Sequence, residues 1–209
     1  MELVDFDKSF LSKSVKLIAG VDEAGRGPLV GSVVAAAVAF PPGFQIDGLT
    51  DSKKLSEKKR EELYSQITKE CHWASAESDS IEIDEINILQ ATMMAMKRAV
   101  NDLQHQLISQ TKEHDFKVLV DGNRCPDVEN CQAIIKGDLI EPVISAASII
   151  AKVTRDRQMK RLDQIHPEFG FSRHKGYGTK EHLEALAKHG PIEGQHRFTF
   201  APIKKLIRA

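Results

Sequence analysis

The order of apolar and polar positions predicts a chain in which short strands alternate with helices. Apolar runs at 15–21 and 30–40, separated by the turn Gly25-Arg26-Gly27-Pro28, predict two strands joined by a tight turn. A charged segment at 56–70 predicts a helix, and residues 72–76 predict a third strand. The first third of the chain therefore supplies the beginning of a sheet and one helix.

The same alternation continues through the rest of the chain. Apolar residues recur every three or four positions at 86–107, which places them on one face of a long helix. Short β-rich runs at 116–120 and 133–135 predict two more strands, and the patterns at 143–163 and 179–189 predict helices. The sequence therefore predicts an α/β core followed by a largely helical C-terminal segment.

Length and composition describe an ordinary globular chain. It has 209 residues, of which 41% are hydrophobic and 28% charged, with a net charge of −1. A chain of this size buries roughly 70% of the surface of its unfolded state, so it needs no disulfide or bound metal to stabilise its core. Disordered, collagen-like and disulfide-scaffold classes are excluded. We expect one domain over 1–209, with an α/β core at about 15–140 and a helical, basic segment at about 141–209.

No segment predicts a membrane span or an export signal. The longest uncharged run, at 27–46, contains Pro28, Pro41 and Pro42, which fits a strand and a turn better than a membrane helix. The beginning of the chain, MELVDFDKSF, has no apolar stretch behind a basic start. We therefore expect a cytoplasmic protein that does not associate with membranes.

The cysteines predict neither a bridge nor a metal site. Cys71, Cys125 and Cys131 are odd in number and have no CxxC spacing. We expect reduced, mostly buried thiols without a functional role.

The charges are distributed unevenly along the chain. Residues 1–149 carry 16 basic and 24 acidic side chains, whereas residues 150–209 carry 13 basic and 6 acidic ones together with five of the eight histidines. A basic segment joined to an acidic one suits a polyanionic partner, because the first can bind phosphates while the second holds cations. Charge counts alone are equally compatible with a solvated basic face.

Acidic residues follow three of the predicted strands. Asp22 and Glu23 end the first, Asp121 ends the strand at 116–120, and Asp138 follows the strand at 133–135. Sites in α/β sheets form at strand ends, where such carboxylates can converge and hold hard divalent cations. Glu23 can join Asp22 only if the strand bends or ends there, because neighbouring side chains point to opposite faces. Each aspartate taken singly is also a common turn former or helix cap.

Two glycine-flanked groups offer contacts to a nucleic acid. Gly25-Arg26-Gly27 combines bare backbone with a guanidinium, although a plain turn with a solvated arginine has the same pattern. Tyr177 lies between two glycines beside Lys175, where its ring could stack on a sugar or base or could pack against the core. Dinucleotide-binding, Walker and serine-hydrolase motifs do not occur.

These segments together resemble bacterial ribonuclease HII, and the resemblance extends over about residues 15–200. The motifs that carry it are GVDEAGRGPLVG at 20–31, DSKKLS at 51–56, IDEINIL at 83–89, DGNRCP at 121–126, KGD at 136–138, ISAASIIAKVTRD at 144–156 and HKGYGT at 174–179. The resemblance implies a ribonuclease H-like α/β fold: a five-stranded mixed sheet flanked by helices, with a helical C-terminal segment.

The resemblance also implies an activity and a set of site residues. The family cleaves the RNA strand of RNA/DNA hybrids and nicks DNA 5′ of single embedded ribonucleotides, leaving 3′-hydroxyl and 5′-phosphate ends by a two-metal mechanism. It implies Mg²⁺ or Mn²⁺ bound by four acids. These are Asp22, Glu23, Asp121 and Asp138.

Substrate contacts follow in the same way. The glycine-arginine-glycine motif falls at Gly25, Arg26 and Gly27, and the tyrosine that senses the substrate falls at Tyr177. We expect further phosphate contacts from basic side chains, namely Lys53, Arg155 and Lys175. The tail after Phe200 has no clear sliding-clamp peptide, and we expect a monomer.

Two other functions remain compatible with the residues themselves. A phosphohydrolase of small molecules would use the same acids but would not need the basic C-terminal third. A nucleic-acid-binding module without catalysis would use the acids only as structural caps. Binding to a duplex weakens steeply with salt, so a salt series separates the first of these from a nuclease.

Overall fold

The computed structural model describes residues 17–50, 52–111 and 116–208. The strands are β1 (Leu17–Ala24), β2 (Val33–Ala39), β3 (His72–Ser78), β4 (Phe116–Asp121) and β5 (Cys131–Ile134). The helices are α1 (Glu57–Glu70), α2 (Ser80–Thr111), α3 (Pro142–Ile165), α4 (Phe171–His174), α5 (Lys180–His189) and α6 (Ala201–Arg208), with a 3₁₀ helix at Gly137–Leu139. The predicted positions 15, 16 and 51, and the segment MELVDFDKSF, lie outside the described residues.

The five strands form one mixed sheet in the order β3-β2-β1-β4-β5. β1 pairs antiparallel with β2, and β2 pairs antiparallel with β3. β4 is parallel to β1 and to β5. The parallel pair β1–β4 lies at the centre, and its register matches Val21 with Val120. The five-stranded mixed sheet with flanking helices confirms the fold that the sequence resemblance implied.

Helices cover both faces of the sheet because its central strands are apolar on both sides. Every residue of β2 is buried. Val33 and Ala35 face α2, whereas Ala36 and Val38 face α1 and α3. Small alanines on β2 let the helices approach the sheet closely, which suits a thin, tightly packed core.

The beginning of α3 lies directly against β1. A side chain at Gly20 would collide with the backbone of Val143 and Ile144, so only glycine allows this approach. The outer side of α3 is covered by the C-terminal segment, where Met159 and Leu162 pack with Phe169, Phe171 and other apolar side chains. α3 therefore belongs to the sheet layer and to the C-terminal layer, across the boundary expected near residue 140.

Several elements differ from the sequence prediction. α2 is interrupted at Asn87, whose φ of 68° and ψ of 160° are not helical. The loop predicted after α3 contains the short helix α4, and the basic C-terminal ending forms α6. No helix among the described residues is long and apolar enough to cross a membrane.

The cysteine prediction is wrong for two of the three residues. Cys125 and Cys131 form a disulfide that closes the loop between β4 and β5. Cys71 is a free thiol at the end of α1, and burial raises its pKa to about 12. Pairing could not be predicted because the two residues are six positions apart and approach each other only when β5 aligns beside β4.

Candidate active site

Two carboxylates lie side by side at the ends of the central parallel strands. Asp22 and Asp121 each follow one residue after the matched pair Val21 and Val120. Asp22 is buried and Asp121 is half-buried, and both point to the face that α3 covers. The prediction that these strand ends bring acids from distant parts of the chain together is confirmed for this pair.

Glu23 reaches the same end of the sheet from the opposite face. β1 continues in regular pairing with β2 through Glu23 and ends at Ala24, where Gly25 turns the chain with a φ of 98°. Glu23 forms an ion pair of 3.5 Å with Arg26, and its own N–H donates to Oδ1 of Asp22 at 2.7 Å. The strand therefore ends rather than bends, and Glu23 lies at its rim.

Asp138 lies beside this group through a backbone link. The N–H of Gly137 donates to Oδ1 of Asp121 at 2.7 Å, which fixes the 3₁₀ helix against the end of β4. The carbonyl oxygen of Asp138 accepts from the Ser145 hydroxyl at 2.5 Å. The structure thus brings the backbone of Asp138 to the site, on a 3₁₀ helix rather than at the end of a strand.

The acids are electrostatically crowded. Burial raises the pKa of Asp22 well above its ordinary value, and the charges of Glu23 and Asp121 raise it further. Burial also raises the pKa of Glu23, Arg26 opposes that effect, and Asp121 adds to it. Crowded carboxylates of this kind favour a cation, because a bound cation removes their mutual repulsion.

The donor chemistry fits a hard divalent cation. Carboxylate oxygens are the ligands that Mg²⁺ and Mn²⁺ prefer, and the expected acids supply nothing else. Across 17–50, 52–111 and 116–208, no three His, Cys, Asp or Glu side chains converge closely enough to enclose one ion.

A pair of hydroxyls connects Asp22 to the DSKKLS motif. Ser148 of α3 is buried and hydrogen-bonds to Asp22, and its Oγ lies 2.8 Å from that of Ser52. A hydroxyl has one hydrogen, so Ser148 donates to the carboxylate and accepts from Ser52. The loop is thereby fixed with Lys53 exposed and close enough to lower the pKa of Glu23. Ser148 was not predicted as a site residue, because a serine in an apolar helix has no distinguishing pattern.

The two predicted glycine-flanked groups come together. The ring of Tyr177 lies against Gly27, where an added Cβ would be 3.2 Å from Cε1 of the ring. The N–H of Leu29 donates to the carbonyl oxygen of Gly176 at 2.8 Å, which fixes the second group on the first. Tyr177 is 50% exposed, so its ring remains accessible beside the acids.

Arg197 supports the turn after β1 through its buried side chain, a role that was not predicted from the sequence. Its side chain is fully buried, and its N–H groups donate to carbonyl oxygens at 2.6–3.0 Å. The acceptors are Gly25, Arg26, Pro28 and Gly31. Five donors in a fixed fork suit this cradle of carbonyls. Burial, followed by the nearby Arg155, lowers the pKa of Arg197 to about 9.

Arg155 was predicted to bind phosphate, and this prediction is wrong. Its side chain is 2% exposed, and its guanidinium donates to the carbonyl oxygen of Val30 at 2.7 Å. A Cβ on Gly25 would collide with the same guanidinium. Burial lowers the pKa of Arg155 to about 10. Arg155 therefore supports the turn from inside the protein and is covered from solvent.

The other expected phosphate contacts lie at the surface. Arg26 has 49% of its side chain exposed, and Lys53 is exposed. Lys175 is half-buried, and its ammonium group donates to the carbonyl oxygen of Ser172 at 2.7 Å. Arg26 and Lys53 lie next to Glu23, whereas the charge of Lys175 contributes to lowering the pKa of Glu57.

Solved structures share this fold. A ribonuclease H2 from Pyrococcus horikoshii is 28% identical with a TM-score of 0.73, and covers 92% of this chain and 98% of its own. A ribonuclease HII from Archaeoglobus fulgidus, solved as a complex with PCNA, is 30% identical with a TM-score of 0.63, covering 89% and 96%. A Bst ribonuclease HIII with Mn²⁺ shares the fold at 19% identity and a TM-score of 0.74, covering 93% and 70%.

Fold and acid cluster together define a ribonuclease H, a class of metal-dependent endonucleases that act on RNA/DNA hybrids. The family model described as Ribonuclease HII matches residues 19–203. A ribonuclease HII of Acinetobacter baylyi is 56% identical over 194 residues, covering 91% of this chain and 98% of that protein. One from Vibrio parahaemolyticus is 54% identical over 194 residues, covering 92% and 88%. The chain belongs to the ribonuclease HII family.

Proposed function

We propose that the protein hydrolyses the RNA strand of RNA/DNA hybrids and nicks duplex DNA on the 5′ side of a single embedded ribonucleotide. The products would be a 3′-hydroxyl and a 5′-phosphate. The observation that carries this proposal is the contact of Tyr177 with Gly27, next to the ion pair of Arg26 with Glu23. It places an exposed ring and bare backbone beside the acid cluster.

The acids would hold the metal. Asp22, Glu23, Asp121 and Asp138 would bind Mg²⁺ or Mn²⁺ at the ends of β1 and β4. Divalent ions supply an activated water and stabilise the leaving oxygen of a phosphodiester, which is the two-ion chemistry we propose here. Ser148 would keep the Asp22 carboxylate oriented through its hydroxyl.

The turn and the tyrosine would test the sugar. The 2′-hydroxyl is the local difference between a ribonucleotide and a deoxyribonucleotide. Backbone groups at 25–27 can approach it because no side chain stands between them and the substrate, and the Tyr177 ring would pack on the ribose. Arg26, Lys53 and Lys175 would contact phosphates without reading sequence.

The experiment is cleavage of an end-labelled DNA duplex that contains one ribonucleotide. It is run beside the same duplex in all-DNA form, with Mg²⁺, with Mn²⁺ and with a chelator. We expect one nick, 5′ of the ribonucleotide, that requires metal and spares the all-DNA duplex. Absence of a nick with either metal, from protein shown to be folded, would contradict the proposal.

Two substitutions separate the sugar test from the chemistry. We expect Tyr177→Ala to reduce the preference for the ribonucleotide site while the protein stays folded, because the ring is half exposed. Tyr64→Ala is the matched control, since Tyr64 packs with Trp73 and Arg157 away from the site. Equal effects of the two substitutions on selectivity would contradict the proposed contact between Tyr177 and the sugar.

We further propose that the chain acts as a monomer and a single catalytic unit in the cytoplasm, where its nucleic-acid substrates lie. The relative from Archaeoglobus fulgidus was solved with PCNA. The tail of this chain after Phe200 has no clear clamp-binding peptide, and we propose no clamp as its partner. Gel filtration with and without a clamp protein tests both statements.

A further inference from the structure

A buried group of histidines lies beneath Tyr177. His182 of α5 and His196 are 0% and 1% exposed. They pack against the stacked rings of Phe169 and Phe171, and the ring of His174 stacks on that of His182 at 4.7 Å. Nothing in the proposed chemistry uses these imidazoles. Fully buried histidines need a complete set of hydrogen-bond partners, which makes their partners informative.

The hydrogen bonds of the pair define its protonation. The N–H of Ile192 donates to Nδ1 of His196 at 2.8 Å, so that nitrogen carries no hydrogen. The other nitrogen, Nε2, therefore carries it and donates to Nε2 of His182 at 3.2 Å. His182 then carries its hydrogen on Nδ1, which donates to the carbonyl oxygen of Tyr177 at 2.9 Å. Both imidazoles are neutral, and the chain of hydrogen bonds runs in one direction, towards Tyr177.

The backbone on both sides of Tyr177 is fixed at the same time. Its carbonyl oxygen also accepts from the N–H of Thr179 at 2.8 Å, and the carbonyl of Gly176 accepts from Leu29 at 2.8 Å. With the His182 bond, these contacts set where the Tyr177 ring lies relative to Gly27. Of the three, only the His182 bond depends on a side chain that can change its protonation.

The other end of the pair is anchored to the turn after β1. Residues 195–197 run antiparallel to residues 29–31: Gly31 donates to the carbonyl of Gln195 at 2.7 Å, and Arg197 donates to that of Leu29 at 2.8 Å. Arg197 supports the turn through its side chain, while His196 supports the tyrosine loop through His182. The segment 195–197 thus connects the turn at 25–27 with the loop that carries Tyr177, the two parts proposed to contact the sugar.

We propose that the neutral His182–His196 pair positions the Tyr177 ring over Gly27 and thereby sets the selectivity of the enzyme for a ribonucleotide. The inference rests on the proposed function of Tyr177, which it deepens. The two histidines are positioning residues, because they act through Tyr177 and do not touch the substrate. Protonation of His182 would place two N–H groups against each other at the shared Nε2 contact. Protonation of His196 would place its Nδ1–H against the N–H of Ile192, so either event would break the chain of hydrogen bonds.

The surroundings keep the pair neutral near pH 7. Burial lowers the pKa of His196 to about 4, with smaller effects in the same direction from His182 and His166. Burial also lowers the pKa of His182, and His174 lowers it further. His174 faces the pair from α4 and His166 from the end of α3. The guanidinium of Arg197, next in the chain to His196, is occupied by the carbonyls of the turn.

The first test compares three substitutions on α5. His182→Leu removes the donor to Tyr177, whereas His182→Asn keeps an N–H near the position of Nδ1. His189→Leu is the matched control, because His189 is an exposed histidine of the same helix. Rates are measured on the single-ribonucleotide duplex, and kcat is separated from KM.

We expect His182→Leu to lower kcat for the ribonucleotide nick about tenfold, the equivalent of one lost hydrogen bond, and to leave KM within about twofold. His182→Asn should recover most of the loss, and His189→Leu should match the wild type. A purely structural role would lower the amount of active enzyme equally for Leu and Asn. Unchanged kcat in His182→Leu would overturn the proposal.

The second test needs no substrate. The chain has two tyrosines, Tyr64 and Tyr177, so 3-fluorotyrosine labelling gives two ¹⁹F resonances, and Tyr177→Phe assigns them. On lowering the pH from 7.5 we expect the Tyr177 resonance to move with a midpoint below that of an ordinary histidine, while the Tyr64 resonance stays fixed. In His182→Leu the Tyr177 resonance should be displaced at neutral pH and lose this pH response.

The two tests distinguish the inference from the proposed function. If the Tyr177 resonance responds to the pair but the wild type does not prefer the ribonucleotide, the proposed function fails and the positioning contact stands. If the wild type is selective and neither the resonance nor kcat depends on His182, the inference alone fails. A resonance that moves only as the whole protein unfolds, followed by circular dichroism, also overturns it.

Discussion

Three arginines around the turn after β1 show how far one residue type can differ in role. Arg26 is half exposed and pairs with Glu23, whereas Arg155 and Arg197 are buried and bind backbone carbonyls. A basic residue near a nucleic-acid site suggests phosphate binding in a sequence, and this prediction fails for Arg155 because its side chain is buried. Burial, which decides the role, depends on packing between distant segments.

The salt dependence of binding should distinguish these environments. Each phosphate contact contributes about 0.9 to the slope of log K against log salt for a DNA duplex. We expect Lys53→Met to reduce the slope by about that amount, because Lys53 is exposed beside Glu23. Arg155→Met should leave it unchanged. The measurement is fluorescence anisotropy with a labelled duplex in Ca²⁺ or chelator. An equal reduction of the slope by both substitutions would show that Arg155 also contacts a phosphate.

Asp22→Asn should separate catalysis from folding. The carboxylate is buried and its pKa is raised, so a neutral amide of the same shape should leave the protein at least as stable without metal. We expect nicking to be lost. Mg²⁺ at about 100 times its Kd should stabilise the folded wild type by about 2.7 kcal/mol and so raise its Tm. It should raise the Tm of the variant much less.

The matched control for this substitution is Asp127→Asn. Asp127 is an exposed aspartate on the loop after β4, and it forms an ion pair with Lys97 of α2. It should retain both nicking and the Mg²⁺ effect on Tm. Nicking by Asp22→Asn at the rate of the wild type would remove Asp22 from the metal site.

At the scale of elements, the apolar pattern predicted most helices and strands but not what interrupts or covers them. The stripe from Ile86 to Leu107 indicated α2, yet not its break at Asn87. Arg155 was assigned to the surface because α3 was treated as having one buried face. α3 packs against the sheet on one side and the C-terminal segment on the other, and such double burial leaves no clear periodic signal.

The break in α2 accounts for the IDEINIL motif. Oδ1 of Asn87 accepts from the N–H groups of Leu89 and Gln90, so the side chain caps the second half of the helix. The first half carries Asp84, whose carboxylate accepts from the N–H groups of Phe198 and Thr199. The motif thus holds the segment that follows Arg197 and contributes no ligand to the acid cluster.

Asn87 should matter for stability in two separable ways. Both Asn87→Gly and Asn87→Ala lose the cap, but glycine also relieves the strain of a side chain at φ 68°. We expect a loss of about 1 kcal/mol for Ala and about 0.3 kcal/mol for Gly in the free energy of unfolding. Urea unfolding at neutral pH measures both, and a glycine variant less stable than the alanine variant would show that the wild-type side chain is not strained.

The loop between β4 and β5 gives a direct test of the cysteine pairing. With the Cys125–Cys131 disulfide formed, alkylation of denatured protein without a reductant should label one of the three cysteines, Cys71. Prior reduction should raise the number to three. Mass spectrometry of protein quenched with acid on lysis counts the labels, and three labels in the unreduced sample would show that the thiols are separate.

At the scale of the molecule, the uneven charge distribution acquires a structural reason. The acidic part of the chain supplies the carboxylates at the strand ends, and the C-terminal third packs beside them through α3 and the segment at 195–197. Charge counting predicted two parts with different partners. It could not predict that two of the five C-terminal histidines, His182 and His196, are fully buried inside that third.

Those histidines should make stability depend on pH. His196 has a folded pKa of about 4, below its ordinary value, so its contribution is complete above about 6.5 and is lost as the pH falls towards 4. The loss for this residue is on the order of 3 kcal/mol at most. His196→Asn should show a shallower fall in the free energy of unfolding over this window. Parallel curves for variant and wild type would show that His196 does not titrate on unfolding.

Residues 25–31 are hydrogen-bonded to residues 174–178 and to residues 195–197, and His182 links the last two stretches. A chimaera that takes any one of them from a relative separates a donor from its acceptor, even when each stretch is well formed by itself. These three stretches therefore have to be inherited as a set. Within the family, the helices that flank the acids should vary freely, whereas the three stretches should change together or not at all. An engineered graft should therefore transfer all three stretches at once.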